Sequence, residues 1–429
     1  MDERGESILD EAGQPLTTID IKAFCKDSLA ASVPPEVQQY VQRHLDGNST
    51  SCVRAWIAAG KADEYGRHLY ASAGTYTLSR HVVIFDGLHL KCESPETTVF
   101  QKERENPRGK FLSHDYGVAE RPPLNDIWVE NCGFDMNGDP KNFASFFNLE
   151  NINRMTFREN RIFDSTGVEC ADRDCQRQYL VVLNSHDILI ENNHFSHGGR
   201  IKAGRPGKRI VIRHNHLDFV NDNGITVVDQ NGVYPNVTED ILIYGNTING
   251  PTVTGIFFGA DGEHNRPGVT TRRITVFGND ISGRMGGACI RGTLPEEASE
   301  IFVGDNRCNP IGRREGDDFL SGIQIKGYRP PSTDVSVFYN YVEGETPGSL
   351  DRGAFAIALA EVCLVGNTVR NNGVALFALD TGTVVSHYGN DWGDGTIQTR
   401  DHRLARIEAI EADEVAECFV PDFLVSTDR

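Results

Sequence analysis

The chain has 429 residues, 43 of them Gly, and a formal net charge of −19 at pH 7. That charge excludes a general nucleic-acid binder and adsorption to anionic membranes, and it opposes a polyanionic ligand unless basic residues or bound cations offset the field locally. No stretch approaches the ~20 apolar residues of a membrane span, and Met1–Gly13 is acidic without an apolar core, so no signal peptide is read. The compartment stays open between cytoplasm, virion and export by a non-classical route.

Residues 1–66 read as a helical N-terminal cap region. Val37, Tyr40, Val41 and Leu45 fall on one helical face, and Cys52–Gly60 reads as a second short helix. Strand patterns begin at Arg67–Leu78 and continue through Val82–Ile84 and Leu88–Leu90. A cap is physically required before the first coil of a solenoid, because an open coil presents unpaired strand edges. Residues 101–124 carry charge, Pro and Gly and read as a long loop.

From Asp126 one pattern recurs: an alternating strand, two further residues of which the second is Asn, then a short apolar pair. Lys208–Asn215, Glu239–Asn246 and Arg272–Asn279 are its clearest copies. Further copies end at Asn160, Asn193, Asn306, Asn340, Asn367 and, weakly, Asn390, while Cys132 replaces the Asn at the start. Neighbouring copies lie 22 to 34 residues apart. Recurrence at this period marks a solenoid, and the period-2 alternation marks its units as strands. Stacked coils would align Ile210, Ile241, Ile274 and Ile301 in one buried column and bring each Asn amide to the next. Asn also tolerates the left-handed backbone of a sharp corner. Cys132 is expected to start or cap the ladder. In residues 396–429, Leu404, Ile407 and Ile410 predict an amphipathic helix closing the far end.

These repeats resemble the right-handed parallel β-helix proteins of the pectate-lyase-like superfamily over roughly Leu69–Trp392. The resemblance implies an all-β, single-stranded parallel β-helix over 67–395, with a small helical N-terminal cap and a C-terminal helical cap. That superfamily includes polysaccharide lyases, epimerases, glycoside hydrolases and phage tail-spikes. The partner it implies is a polysaccharide or oligosaccharide, and a spike-like assembly would be a homotrimer.

The ten cysteines contain no C-x-x-C pair, which disfavours a structural zinc site. Cys289, Cys308 and Cys363 fall in or beside repeat strands and read as small buried hydrophobes. Cys170 and Cys175 share a polar insertion and could bridge each other.

Aliphatic side chains fill the lumen of such a coil, so chemistry is left to outward residues and corners. Aligning successive strands on Gly224, Gly255, Gly287 and Gly322 puts Lys202, Val228, Gly259, Arg291 and Lys326 in one outward column. Lys202, Arg291 and Lys326 there could neutralise a uronate carboxylate and so acidify the C5 proton, which one of them or a Tyr would remove. Solvated charges on a solenoid wall are the plainer reading. Asp222, Asp229 and Asp261, with Glu263, form an acidic corner. It could supply the carboxylate pair of a glycosidase, hold Ca²⁺, or simply provide turn residues. His197 follows these as a sugar ligand, a base or a corner residue, and Tyr234 and Tyr328 as phenols in post-strand loops. Ser196–Lys202 resembles fused pieces of the polygalacturonase signature, in an order that does not match that family. The mannuronan C5-epimerase signature is absent.

Overall fold

The computed structural model describes residues 19–21, 52–54, 56–57, 68–104, 109–113, 122–138, 145–166, 177–197, 199–218, 223–229, 236–250, 253–260, 268–284, 287–312, 321–327, 332–344, 353–371, 373–379, 382–399, 405–421 and 424. Every strand pairing among them is parallel, and each strand pairs with its counterpart one coil away, so the chain is a parallel β-helix. Three walls enclose the lumen. Using one full coil as the guide, the first wall holds Ile225–Asp229, the second Asn236–Tyr244 and the third Thr247–Asn249.

The lumen is built by the alternation read in the sequence. Ile127, Met155, Ile188, Ile210, Ile241, Ile274, Ile301, Val335 and Val362 stack in register along the second wall, and all are 0–3% exposed. The third wall contributes Phe134, Ile162, Phe195, Leu217, Ile248, Ile281 and Cys308. The first coils are filled with aromatic rings instead, with Phe111 stacked on Phe147 at 5.1 Å and Phe134 edge-on to Phe147 at 4.8 Å. Ring pairs at these spacings are favoured beyond their buried area.

Two residues always join the second wall to the third. The first takes a left-handed conformation, as at Asn192 (φ 54°), His214 (φ 52°), Gly245 (φ 62°) and Tyr339 (φ 53°). The second is the buried Asn. Its amide donates to the next Asn's carbonyl oxygen without a break from Asn160 to Asn390, as in Asn215 to Asn246 (3.0 Å) and Asn279 to Asn306 (2.9 Å). The ladder is as expected, with a correction: the strained backbone falls on the residue before the Asn. The Asn is kept for its side chain, which saturates a corner that water cannot reach. Asn160 is the first rung, since Cys132 offers it only a backbone N–H (3.0 Å).

The cysteine reading also needs correction. Cys289 and Cys308 are bonded to each other inside the lumen, Cys92 to Cys132, and Cys363 to Cys418. No described cysteine is free. Cys170 and Cys175 lie outside the described residues.

The expected helical caps are not confirmed by the described residues. Residues 52–54 and 56–57 are helical, and Cys52, Val53, Trp56 and Ile57 join the core. The helix read over Val37–Leu45 lies outside the described residues. The tail helix is not formed at its centre, because Ala405–Ala409 is a strand paired with Thr383–His387. The last coil offers an open row of backbone donors and acceptors, and pairing with it outweighs helix propensity. Beyond it the tail turns back against the outer face of the second wall. There Cys418 packs with Phe302, Phe338 and Val365, and Ile410, Val415 and Phe419 lie alongside.

Candidate functional site

Length variation between coils is confined to the two corners that flank the first wall. The third-to-first connection grows from 250–255 to 313–320 and 344–354, and the first-to-second from Leu359 to 261–268. Both corners adjoin the first wall in chain order, which makes its outer face the candidate surface.

Backbone register fixes that face. Lys202 pairs with Thr226, Thr226 with Phe257, Phe257 with Arg291, and Arg291 with Gln324. Lys326 pairs with Thr293, Thr293 with Gly259, and Gly259 with Val228. The three cations therefore share one wall but occupy two adjacent columns, which corrects the single column inferred from the Gly alignment. Cys289, not Gly287, stands in register between Gly255 and Gly322. The slip is two residues, so it moves Arg291 along the wall without turning it inward.

The face is enclosed at one end and open at the other. Lys202 is 7% exposed, Thr226 1% and Phe257 8%; Arg291 and Gln324 are half-buried and Lys326 is exposed. The Arg291 guanidinium lies 5.1 Å from the Phe257 ring centre, leaning one coil toward Lys202. The Thr226 hydroxyl is buried with no hydrogen-bond partner among the described residues. Arg200, two residues before Lys202 on the same face, is 6% exposed. Sequence reasoning passed over Arg200, although the Arg-Ile-Lys alternation signals it.

Other expected residues fare unevenly. Asp229 ends its first-wall strand opposite Ala260. His197 holds the corner between the third and first walls at φ 61°, and its carbonyl accepts the Tyr179 hydroxyl at 2.7 Å. Asp222, Tyr234, Asp261, Glu263 and Tyr328 lie outside the described residues.

A concavity of about 590 Å³ lies on the outer face of the second wall. Its floor is Trp128, Thr156, Leu189 and Val211, in register over four coils. One rim alternates in sign, with Arg154 bonded to Asp126 (2.6 Å) and Arg209 to Asp187 (2.5 Å). Arg209 beside Asp187 holds that carboxyl below the ordinary carboxylate range. The opposite rim repeats the device with Arg158 on Glu130 (2.8 Å) and Arg213 on Glu191 (2.5 Å). Burial works to raise the Glu130 pKa, but hydrogen bonds from Trp128, Arg158 and Lys91 outweigh it and leave it lowered. Paired rims leave little net field on this face.

No protein-family profile and no curated protein matches this chain. Solved structures do. The Streptococcus pneumoniae surface protein and adhesin PfbA is 12% identical with a TM-score of 0.56, over 92% of this chain and 97% of that one. The catalytic unit of a thermostable GH87 α-1,3-glucanase from Streptomyces thermodiastaticus is 13% identical, TM-score 0.51, over 94% of this chain and 70% of that one. The tailspike of Escherichia coli bacteriophage HK620, as a mutant, is 12% identical, TM-score 0.52, over 93% and 79%. Identities this low speak for the fold alone: the protein is a parallel β-helix.

Proposed function

We propose that this chain acts on a polysaccharide, and that the first wall binds an acidic one and removes the C5 proton of a uronate unit. The carrying observation is the set of cationic side chains that share that face. In a chain of net charge −19, its outward residues include Arg200, Lys202, Arg291 and Lys326, with Thr226, Phe257 and Gln324 between them. Lys202 and Arg291 are three coils apart, ~14 Å along the axis at strand spacing, so they would contact different, non-adjacent sugar units. In this reading Arg291 neutralises the uronate carboxylate, Lys326 in the adjacent coil accepts the C5 proton of that unit as a neutral amine, and Lys202 holds a unit further along the polymer. The electron pair then forms the C4–C5 double bond as the glycosidic oxygen leaves. An epimerase would instead return a proton to the other face.

A second reading, glycoside hydrolysis with Asp229 as one carboxylate and Asp261 as the other, draws support from the likeness to the α-1,3-glucanase. One experiment separates them: digestion of uronate-containing and neutral glucans, followed by ultraviolet absorbance and reducing ends together. Elimination gives an absorbing unsaturated end, and Arg291→Ala should lower its rate on the uronate polymer by ~10²-fold or more. Reducing ends without the chromophore, insensitive to Arg291→Ala, would replace this reading with hydrolysis. Glycan binding with no product at all would leave a binding protein.

A further inference from the structure

The third wall carries a side-chain cluster that the glycan reading does not use. His194 and His216 occupy the same position on adjacent coils, with ring centres 5.2 Å apart on the outer face. Asp218, two residues after His216, points back to both. Its Oδ2 lies 3.1 Å from His194 Nε2 and 2.8 Å from His216 Nε2. One nitrogen of each ring and one carboxylate oxygen all lie within 4.8 Å of one another.

We propose that His194, His216 and Asp218 form a binding site for a borderline divalent metal ion of the Zn²⁺ class. Two imidazoles with one carboxylate suit Zn²⁺, Co²⁺ or Ni²⁺ and do not suit Ca²⁺, which takes six or more oxygens. Tetrahedral coordination with ~2.05 Å bonds separates ligand atoms by roughly 3.3 Å. The two contacts to Asp218 are slightly shorter, so a small outward turn of each ring opens room for the ion. A side-chain network already orients the carboxylate. Asn249 donates to Asp218 Oδ1 at 2.9 Å, and Ser282 donates to Asn249 Oδ1 at 2.8 Å. Support of this kind fixes a ligand's direction and is a common feature of metal sites. Ser196, in register with Asp218, adds a buried hydroxyl with no partner among the described residues.

All three ligands are partly exposed, so the remaining coordination position faces solvent and would carry water or an oxygen from a ligand. The site lies just before the corner at His197 that leads into Lys202, and it would clamp two coils there.

The test is titration of the full chain, first stripped with a chelator, by Zn²⁺, Co²⁺ and Ca²⁺ with calorimetry and visible absorption. One equivalent of Zn²⁺ should bind, and Co²⁺ should develop the ligand-field bands of a low-coordinate nitrogen–oxygen site. His216→Ala and Asp218→Asn should each lose affinity by at least tenfold, and Asn249→Ala by ~10-fold through loss of second-layer support. Circular dichroism confirms that each variant is folded, and the variants stand on exposed or half-exposed positions. No stoichiometric Zn²⁺ binding, or binding unchanged in His216→Ala, would overturn the site.

Discussion

His89 shows how one residue in the first coils couples folding to pH. Burial is the main reason its pKa is lowered from 6.5 to about 4, and nearby His68, Lys91 and Arg158 add to the shift against an opposing Glu130. The ring lies 4.5 Å from His68 and 5.3 Å from Trp128. An imidazole that protonates near 6.5 when unfolded but only near 4 when folded makes the unfolded chain bind more protons between those values. Stability is therefore present above pH 6.5 and is lost as pH falls toward 4. At 1.36 kcal/mol per pH unit the loss amounts to about 3 kcal/mol. Denaturant unfolding of wild type and His89→Gln across that window should show the steeper loss in the former, since His68 and His387, also lowered by burial, remain in both. Parallel curves for the two proteins would sink the assignment. Glu130, with its lowered pKa, acts in a lower window: its contribution goes as pH drops through the carboxylate range.

Among the elements, the second wall's outer face is the most instructive, because its two halves are finished differently. Over Thr275, Phe302, Ser336 and Cys363 the tail covers it, and the Cys363–Cys418 bond closes 55 residues of chain. Over Trp128, Thr156, Leu189 and Val211 the same column stays half-exposed between its charged rims. The bends that enter this wall fall on non-glycine residues in left-handed conformation, including Asp126, Arg154, Asp187, Arg209, Asp240 and Arg273. Alternation of sign from coil to coil converts six strained positions into three ion pairs. Chain-entropy arithmetic for a 55-residue loop gives the disulfide about 4 kcal/mol. The double variant Cys363→Ser, Cys418→Ser should unfold at correspondingly lower denaturant. It should also bind an apolar dye through Phe302 and Phe338, and unchanged dye binding would show that the tail stays docked without its bond.

At the scale of the molecule, stability is passed from coil to coil, since each coil touches only its neighbours. The Asn ladder makes that coupling visible. Asn246 accepts from the Asn215 backbone and amide (both 3.0 Å), and donates to Asn279 (2.9 Å) and to the Ile212 carbonyl (2.9 Å). Asn246→Ala strands buried donors and acceptors on both neighbours, at roughly 1–3 kcal/mol for each group left unpaired. The expected loss is about 3 kcal/mol or more. Asn390→Ala, at the half-exposed far end with fewer partners, should cost about 1 kcal/mol. Thermal unfolding of the pair tests this, and equal losses would mean that the ladder does not transmit stability along the stack.

The sequence by itself determined the winding. Aliphatic alternation, the two-residue corner and the recurring Asn are local patterns, and repetition makes a local pattern decide a whole wall, as the Ile210–Ile301 column shows. It also put Lys202, Arg291 and Lys326 on one outer wall, since a two-residue slip keeps the face. Only the tertiary structure decided which column each occupies, because register depends on corner lengths that the strands do not encode. Cys289 and Cys308 looked like lumen hydrophobes because burial and bonding leave the same trace in a sequence. The tail strand at Ala405–Ala409 exists because the last coil presents an edge to it, which no local propensity reports. His194, His216 and Asp218 went unnoticed for the same reason: two of the three meet only when adjacent coils stack, 22 residues apart in sequence and side by side in space.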